Sequence, residues 1–133
     1  MNTLTRQEHH PLRRAFLLDA VATGGMGVAL AIGAGSLQEL LGLPTMLLRE
    51  AGLICVGFAA WLAFALTRDR ITNAMAWVAI GVNTLWVLAS LGLLASGWVK
   101  PTWLGVAFVV AQAVIVVVFA ELQYLGAKRV RHA

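Results

Sequence analysis

Six side chains lie within otherwise apolar stretches and carry groups that could bind a proton, a cation or a polar ligand. They are Asp19, Asn83, Trp86, Ser90, Gln112 and Glu121. Two carboxylates at a similar depth suggest proton or cation coupling, because like charges in a medium of low dielectric constant resist being ionised together. The alternative is a peripheral ion pair for each, Asp19 with a nearby arginine and Glu121 with Lys128. We expect ion pairs. Glu121 follows Gln112 by nine residues, about 180° around a helix, so Glu121 faces away from the bundle if Gln112 faces into it.

The uncharged polar side chains favour contacts between helices. Asn83, Trp86 and Ser90 are spaced at i, i+3 and i+7, along one helix face. Gln112 falls at a similar depth on the next apolar stretch, so we expect an Asn83–Gln112 hydrogen bond. Such bonds contribute only ~0.6 kcal/mol on average in membranes, so their main effect is to fix helix register. A polar floor that binds a ligand is the alternative.

Several catalytic chemistries lack the residues they need. No histidine lies within an apolar stretch, so paired haem ligands are missing, and His9 and His10 have no third metal ligand beside them. The glycines at 24, 25 and 27 are followed by no lysine, unlike a phosphate-binding loop. No nucleophile has a base and an orienting group at a recognisable spacing. We therefore expect no enzyme, no cofactor and no metal.

The composition indicates the elements that position these side chains. The chain has 133 residues, of which 60% are hydrophobic and 12% charged. Four uncharged runs span 20–38, 51–67, 71–99 and 101–120, and a membrane-spanning helix needs ~20 predominantly apolar residues. The sequence predicts one all-α integral membrane domain, an antiparallel bundle of four transmembrane helices. We place them at about 15–35, 46–67, 74–96 and 102–125, with a short interfacial helix at about 37–42.

The basic residues predict the orientation. Eight lie on one side of the predicted bundle, and only Arg49 and Lys100 lie on the other. The positive-inside rule therefore places both termini in the cytoplasm. The net charge of +4 is then a topology signal, and we expect no nucleic-acid partner. A cleaved signal peptide is the alternative for the first run, but Asp19 and the length of the run favour a retained helix.

Small residues recur every four positions on the first two predicted helices. Gly27, Ala31 and Gly35 form such a row on the first helix, and Ala51, Cys55 and Ala59 form one on the second. Small side chains let helices approach closely in lipid, so these rows predict close packing of helices one and two. Glycines that line a cavity or a gate are the alternative. Cys55 is the only cysteine, so no intrachain disulfide can form.

The second half of the chain resembles a group of small bacterial inner-membrane proteins. The resemblance rests on the stretch from "NTLWVLASLGLLASGWVKPTW" to "AELQYLG", and the four-helix plan is similar to that of the DoxX-like proteins. It implies a multi-pass protein of the cell inner membrane and carries no assigned activity. We expect a structural or accessory protein that contacts the lipid bilayer and self-associates or binds a membrane-protein partner. A small oligomeric transporter, coupled to protons or carrying a small molecule, is the alternative.

Overall fold

The computed structural model describes the backbone of residues 3–131 and the side chains of residues 10–129. Over this range the protein is all-helical. The helices are α1 (Thr3–Leu41), α2 (Thr45–Leu66), α3 (Asn73–Ser96) and α4 (Trp103–Arg131). Each contains a segment that is long and apolar enough to cross a membrane. The short connections make successive helices antiparallel, so α1 begins, α4 ends and α2 joins α3 at one end, which we call the terminal end.

Two helices are longer than the uncharged runs indicate. α1 begins at Thr3 and continues to Leu41, so the segment 37–42 expected as a separate interfacial helix is the last turn of α1 and the turn after it. α4 continues to Arg131, beyond the expected end near 125. Charged side chains interrupt hydropathy without interrupting a helix, because the backbone hydrogen bonds do not depend on side-chain polarity. The apolar runs therefore mark candidate spans and not helix ends.

Local contacts fix the ends of the helices. Gly42 has a φ of 69°, and a Cβ there would lie 2.7 Å from the backbone nitrogen of Thr102, so glycine is required on both grounds. Thr102 donates from its backbone N–H to the carbonyl of Leu41 at 3.0 Å and from its hydroxyl to that of Leu40 at 2.8 Å. These bonds tie the end of α1 to the start of α4.

The connection between α2 and α3 is held from α1. The guanidinium of Arg13 donates to the carbonyl oxygens of Leu66, at 3.0 Å, and of Arg68. Leu66 is the last residue of α2 and Arg68 lies two residues beyond it, so no backbone donor of the helix reaches either carbonyl. Thr72 then starts α3 by accepting a hydrogen bond from the backbone N–H of Met75 at 3.1 Å.

The helices pack in the order α2, α1, α4, α3. α1 contacts both α2 and α4, and α3 contacts α4, whereas over the described residues α2 and α3 make no comparable contact along their lengths. Two buried apolar clusters fill the two ends of the bundle. The cluster at the terminal end contains Leu12, Phe16 and Leu62, and the one at the opposite end contains Leu30, Leu43 and Leu48. α2 and α3 both contribute to the cluster at the terminal end, and toward the opposite end a gap lies between them.

Glycines bring α1 and α2 together. A Cβ on Gly27 would lie 2.8 Å from the Cβ of Cys55 and 2.8 Å from the carbonyl oxygen of Gly52. A Cβ on Gly52 would lie 2.6 Å from the backbone nitrogen of Ala31. All three distances are shorter than ordinary carbon contacts of ~3.5–4.0 Å, so only glycine fits at this crossing.

The rows of small residues only partly coincide with this contact. Ala59 lies against Gly24, whose Cβ would be 3.2 Å away, and Ala51 packs on the cluster at the opposite end. Gly35, expected in the same row as Gly27, is exposed instead, and a Cβ there would meet nothing within 4 Å. A spacing of eight residues rotates about 80° around a helix, which turns Gly35 out of the contact.

Candidate functional site

A layer of buried polar side chains separates the two apolar clusters. Its centre is Asp19 on α1, which is 0% exposed. Thr23 from the next turn of α1, Asn83 from α3 and Gln123 from α4 are also buried around it. Three of the four helices therefore contribute to this polar cluster, and α2 contributes no hydrogen bond to it among the described side chains.

Each oxygen of the Asp19 carboxyl group accepts a hydrogen bond. Oδ1 accepts from the Thr23 hydroxyl at 2.6 Å. Oδ2 accepts from Asn83 Nδ2 at 2.8 Å and from Gln123 Nε2 at 2.7 Å. Asn83 Nδ2 also donates to Gln123 Oε1 at 2.9 Å, which closes a ring of hydrogen bonds across α1, α3 and α4. A buried carboxyl group is tolerated when its oxygens are hydrogen-bonded in this way.

The arrangement differs from the peripheral ion pair expected for Asp19. Its described hydrogen-bond partners are one hydroxyl and two amides, while the guanidinium of Arg13 caps α2. The cause is geometric, since Asp19 lies on the face of α1 that points into the bundle. Each amide N–H points at a carboxyl oxygen, which fixes how α3 and α4 are rotated against α1. This is an interhelical clamp.

A second polar group lies further from the terminal end. The indole N–H of Trp86 donates to Gln112 Oε1 at 2.7 Å. Gln112 Nε2 donates to the Ser90 hydroxyl oxygen at 3.0 Å and to the carbonyl of Val109 at 2.9 Å. The Ser90 hydroxyl donates to the carbonyl of Trp86 at 2.7 Å. We call Trp86, Ser90 and Gln112 the polar trio, and it joins α3 to α4.

The gap between α2 and α3 forms a groove, and the polar trio lies at its floor. The groove has a volume of about 320 Å³, at the lower end of the ~300–1,000 Å³ typical of small-molecule sites. Its walls come from all four helices and are mostly apolar. They include Glu50 on α2, Leu93 on α3 and Phe108 on α4. Glu50, near the start of α2, is the only charged residue among the described side chains that line it.

A narrow cavity lies between the groove and the polar cluster. It has a volume of about 20 Å³ and shares Met26, Ile54 and Trp86 with the groove lining. Its other wall includes Thr23 and Asn83 of the polar cluster. A cavity of this size holds about one water molecule. The groove and the polar cluster are therefore separated by a constriction and not by a channel.

The structure joins the residues singled out in the sequence in a different combination. Asn83 bonds to Asp19 and Gln123, not to Gln112, which bonds instead to Trp86 and Ser90. Glu121 is exposed on the opposite side of α4 from the buried Gln112. The expected Asn83–Gln112 bond does not form because Gln112 and Gln123 lie about 16 Å apart along one face of α4. Each amide bonds to the α3 side chains at its own depth, Gln123 to Asn83 and Gln112 to Trp86 and Ser90.

Gln123 is the residue that the sequence reasoning missed. It is 0% exposed and bonds to both Asp19 and Asn83. A signal was present, because Gln123 follows Gln112 by eleven residues, and eleven residues return a helix to within about 20° of the same direction. Its position beyond the last uncharged run hid it, since Glu121 interrupts that run after residue 120.

Comparison with known proteins identifies no relative of this chain. Neither a protein-family model, nor a curated protein, nor a solved structure matches this chain. The described residues contain no group of three or more histidine, cysteine, aspartate or glutamate side chains that could hold a metal ion. The polar cluster, the polar trio and the groove are the features of the fold from which a function can be inferred.

Proposed function

We propose that the protein is a multi-pass accessory protein of the bacterial inner membrane, with both termini in the cytoplasm. It acts by holding a lipid-soluble small molecule in the groove between α2 and α3, without transforming it. The membrane setting is supported by four apolar helices and by large apolar side chains on the surface, such as Ile32 at 83% exposed. The eight-to-two division of basic residues supports the orientation.

The observation that carries the proposal is the groove itself. A four-helix bundle that served only as a packing unit would close α2 against α3, because helices in lipid gain van der Waals contacts when they pack closely. Here α2 and α3 diverge over an apolar space of about 320 Å³. A helix with its side chains is ~10–12 Å across, and a space of this volume suits a compact molecule or a single alkyl chain better.

The polar cluster supports a binding protein over an enzyme or a pump. Both oxygens of Asp19 are occupied by donors from Thr23, Asn83 and Gln123. A catalytic base needs room for the group that it deprotonates. The clamp gives the fold a fixed register and leaves binding to the groove.

Photo-crosslinking tests the groove. A photoreactive amino acid placed at Leu93 lies in the groove, whereas the same residue at Leu88 lies on the same helix, is 61% exposed and does not line the groove. Position 88 would face lipid, so we expect only phospholipid adducts there and an additional adduct of different small-molecule mass at position 93 in intact cells. A protein-sized adduct at position 93, or equal labelling at both positions, would contradict the proposal.

The second candidate is a transporter, and the narrow cavity beside Thr23 and Asn83 favours it. A substrate that passed from the groove to the polar cluster would have to displace the residues of this constriction. Proton flux into vesicles that contain the protein, compared with the Asp19→Asn variant, separates the two candidates. Proton flux that is lost in the Asp19→Asn variant would support the transporter and reject the accessory role. The self-association expected from the sequence stays a prediction, which native mass spectrometry in nanodiscs checks.

A further inference from the structure

The polar trio on the groove floor has no hydrogen-bond donor left for a ligand. Trp86 has one N–H, which Gln112 accepts, and the single hydroxyl hydrogen of Ser90 goes to the carbonyl of Trp86. The two hydrogens of Gln112 Nε2 go to Ser90 and to the carbonyl of Val109. All four donor hydrogens are used within α3 and α4. The capacity that is left is acceptor capacity, on Gln112 Oε1 and on the hydroxyl oxygen of Ser90.

The rim of the groove also offers hydrogen-bond acceptors. Glu50 is exposed and lines the groove on the α2 side, and an ionised carboxylate only accepts hydrogen bonds. No other charged residue is found in the described lining. Phe108 lines the wall across from α2, and its side chain brings no charge and no hydrogen-bonding group. The rim and the floor of the groove therefore both offer hydrogen-bond acceptors and no free donor.

From this complementarity we infer that the occupant of the groove is a lipophilic amine in its protonated, cationic form. The inference rests on the proposed function, because it names the class of molecule that the groove holds. The alkyl or aromatic body lies between the apolar walls of α2 and α3, and the ammonium group lies at Glu50. The three donors of an ammonium group pair with the Glu50 carboxylate, and the amine brings no acceptor that would need a donor from the floor.

The same chemistry disfavours two other classes of lipid-soluble molecule. A ketone or quinone presents carbonyl acceptors, and the polar trio has no donor to pair with them. A fatty acid presents an anion, which Glu50 repels. An alcohol has one donor and no charge, so it pairs with the floor but gains nothing at the rim. The expected order of affinity at equal chain length is amine, then alcohol, then ketone.

The test is equilibrium binding of radiolabelled decylamine to the full-length protein in phosphatidylcholine nanodiscs. Binding to empty nanodiscs is subtracted, since the amine also partitions into lipid. Unlabelled decylamine, decan-1-ol and decan-2-one then compete for the bound label. We expect saturable binding, with the alcohol at least about tenfold weaker than the amine and the ketone weaker still. Equal competition by the three compounds would overturn the inference.

A pair of variants tests the role of Glu50. Glu50→Gln should weaken decylamine binding by about tenfold, which corresponds to ~1.4 kcal/mol, because it removes the only charge in the described lining. Glu39→Gln is the matched control, since Glu39 is an exposed carboxylate near the same end of the bundle that does not line the groove. Its affinity should stay within about twofold of the unmodified protein. Equal losses in both variants would assign the attraction to surface charge and overturn the inference.

The outcomes also distinguish this inference from the proposed function. A small-molecule adduct at position 93 together with no preference for the amine would keep the groove as a binding site and reject the amine. Absence of any adduct that is specific to position 93 would reject the binding function itself. Both variants lie outside the polar cluster, and far-ultraviolet circular dichroism checks that each keeps the helical fold.

Discussion

Gly27→Ala is the sharpest test of how α1 and α2 are held together. The added Cβ would lie 2.8 Å from the Cβ of Cys55, 2.8 Å from the carbonyl oxygen of Gly52 and 2.9 Å from the backbone nitrogen of Val56. Two of these three atoms belong to the backbone of α2, so no side-chain rotation relieves the contact. Ordinary contacts require ~3.5–4.0 Å, and the two helices must therefore separate by up to about 1 Å at this point.

The cost follows from that separation. A gap of ~0.5–1 Å forfeits a quarter to a half of the dispersion energy of each affected atom pair, and overpacked cores typically lose ~1–3 kcal/mol. Alanine regains part of this, since it exceeds glycine in helix propensity by up to ~1 kcal/mol in water. We expect Gly27→Ala to lower the free energy of unfolding by about 1–2 kcal/mol.

Gly25→Ala is the matched control. Gly25 lies on the same helix two residues away, and a Cβ there meets nothing within 4 Å. Gly25→Ala gains helix propensity without a clash, so its free energy of unfolding should be unchanged or slightly higher. Gly35→Leu should also be tolerated, because Gly35 faces open space. Unfolding in mixed micelles with increasing dodecyl sulfate, followed by tryptophan fluorescence and circular dichroism, measures each variant. Unfolding of Gly27→Ala and Gly25→Ala at the same dodecyl sulfate fraction would refute the reasoning.

The reciprocal contact supplies a second check. A Cβ on Gly52 would lie 2.6 Å from the carbonyl oxygen of Gly27, so Gly52→Ala forces the same two helices apart at the same crossing. Once one substitution has separated them, the other meets less resistance. The double variant should therefore cost less than the sum of the single variants, by about 0.5–1 kcal/mol. Strict additivity would show that the two glycines act independently.

Three further predictions concern the polar groups and the topology. Asp19→Leu should lower the free energy of unfolding by about 2 kcal/mol, because it removes three hydrogen bonds at ~0.6 kcal/mol each. Asp19→Asn should cost less, because its amide oxygen still accepts from Asn83 and Gln123. Equal costs of the two variants in dodecyl sulfate titrations would argue against the clamp. Trp86→Phe should cost about 0.6 kcal/mol by removing the donor to Gln112, and a loss no different from zero would show that this bond does not hold α3 to α4. Reporters fused at residues 1 and 133 should both report cytoplasm, and reporters on opposite sides would contradict an even number of spans.

The helices could be read from the sequence because membrane-length hydropathy is a local property. The runs 51–67 and 71–99 contain most of α2 (Thr45–Leu66) and α3 (Asn73–Ser96). The start of α1 at Thr3 was not readable in this way, since its first residues are mostly polar. Helix periodicity also separated the two faces of α4, with Gln112 buried and Glu121 exposed. Such statements need only the 3.6-residue repeat.

The partners of the polar side chains were not determined locally. The sequence marked Asp19, Asn83 and Gln112 as polar groups within apolar stretches, but several pairings satisfy the same depths. Which amide faces which carboxyl oxygen depends on the tilt and rotation of whole helices, and these follow from packing at distant points such as the crossing of Gly27 and Gly52. A rotation of one helix by one residue exchanges one set of partners for another.

What the sequence by itself determined is therefore a set of four apolar helices, their order along the chain and the polar groups that must find partners among them. Only the tertiary structure decided that Asp19 joins α1 to Asn83 and Gln123, that Gly35 lies outside the contact with α2, and that α2 and α3 diverge to leave a groove beside Glu50. The physical reason is that hydropathy and periodicity act along one chain segment, whereas a cavity is the space left after all four helices have packed.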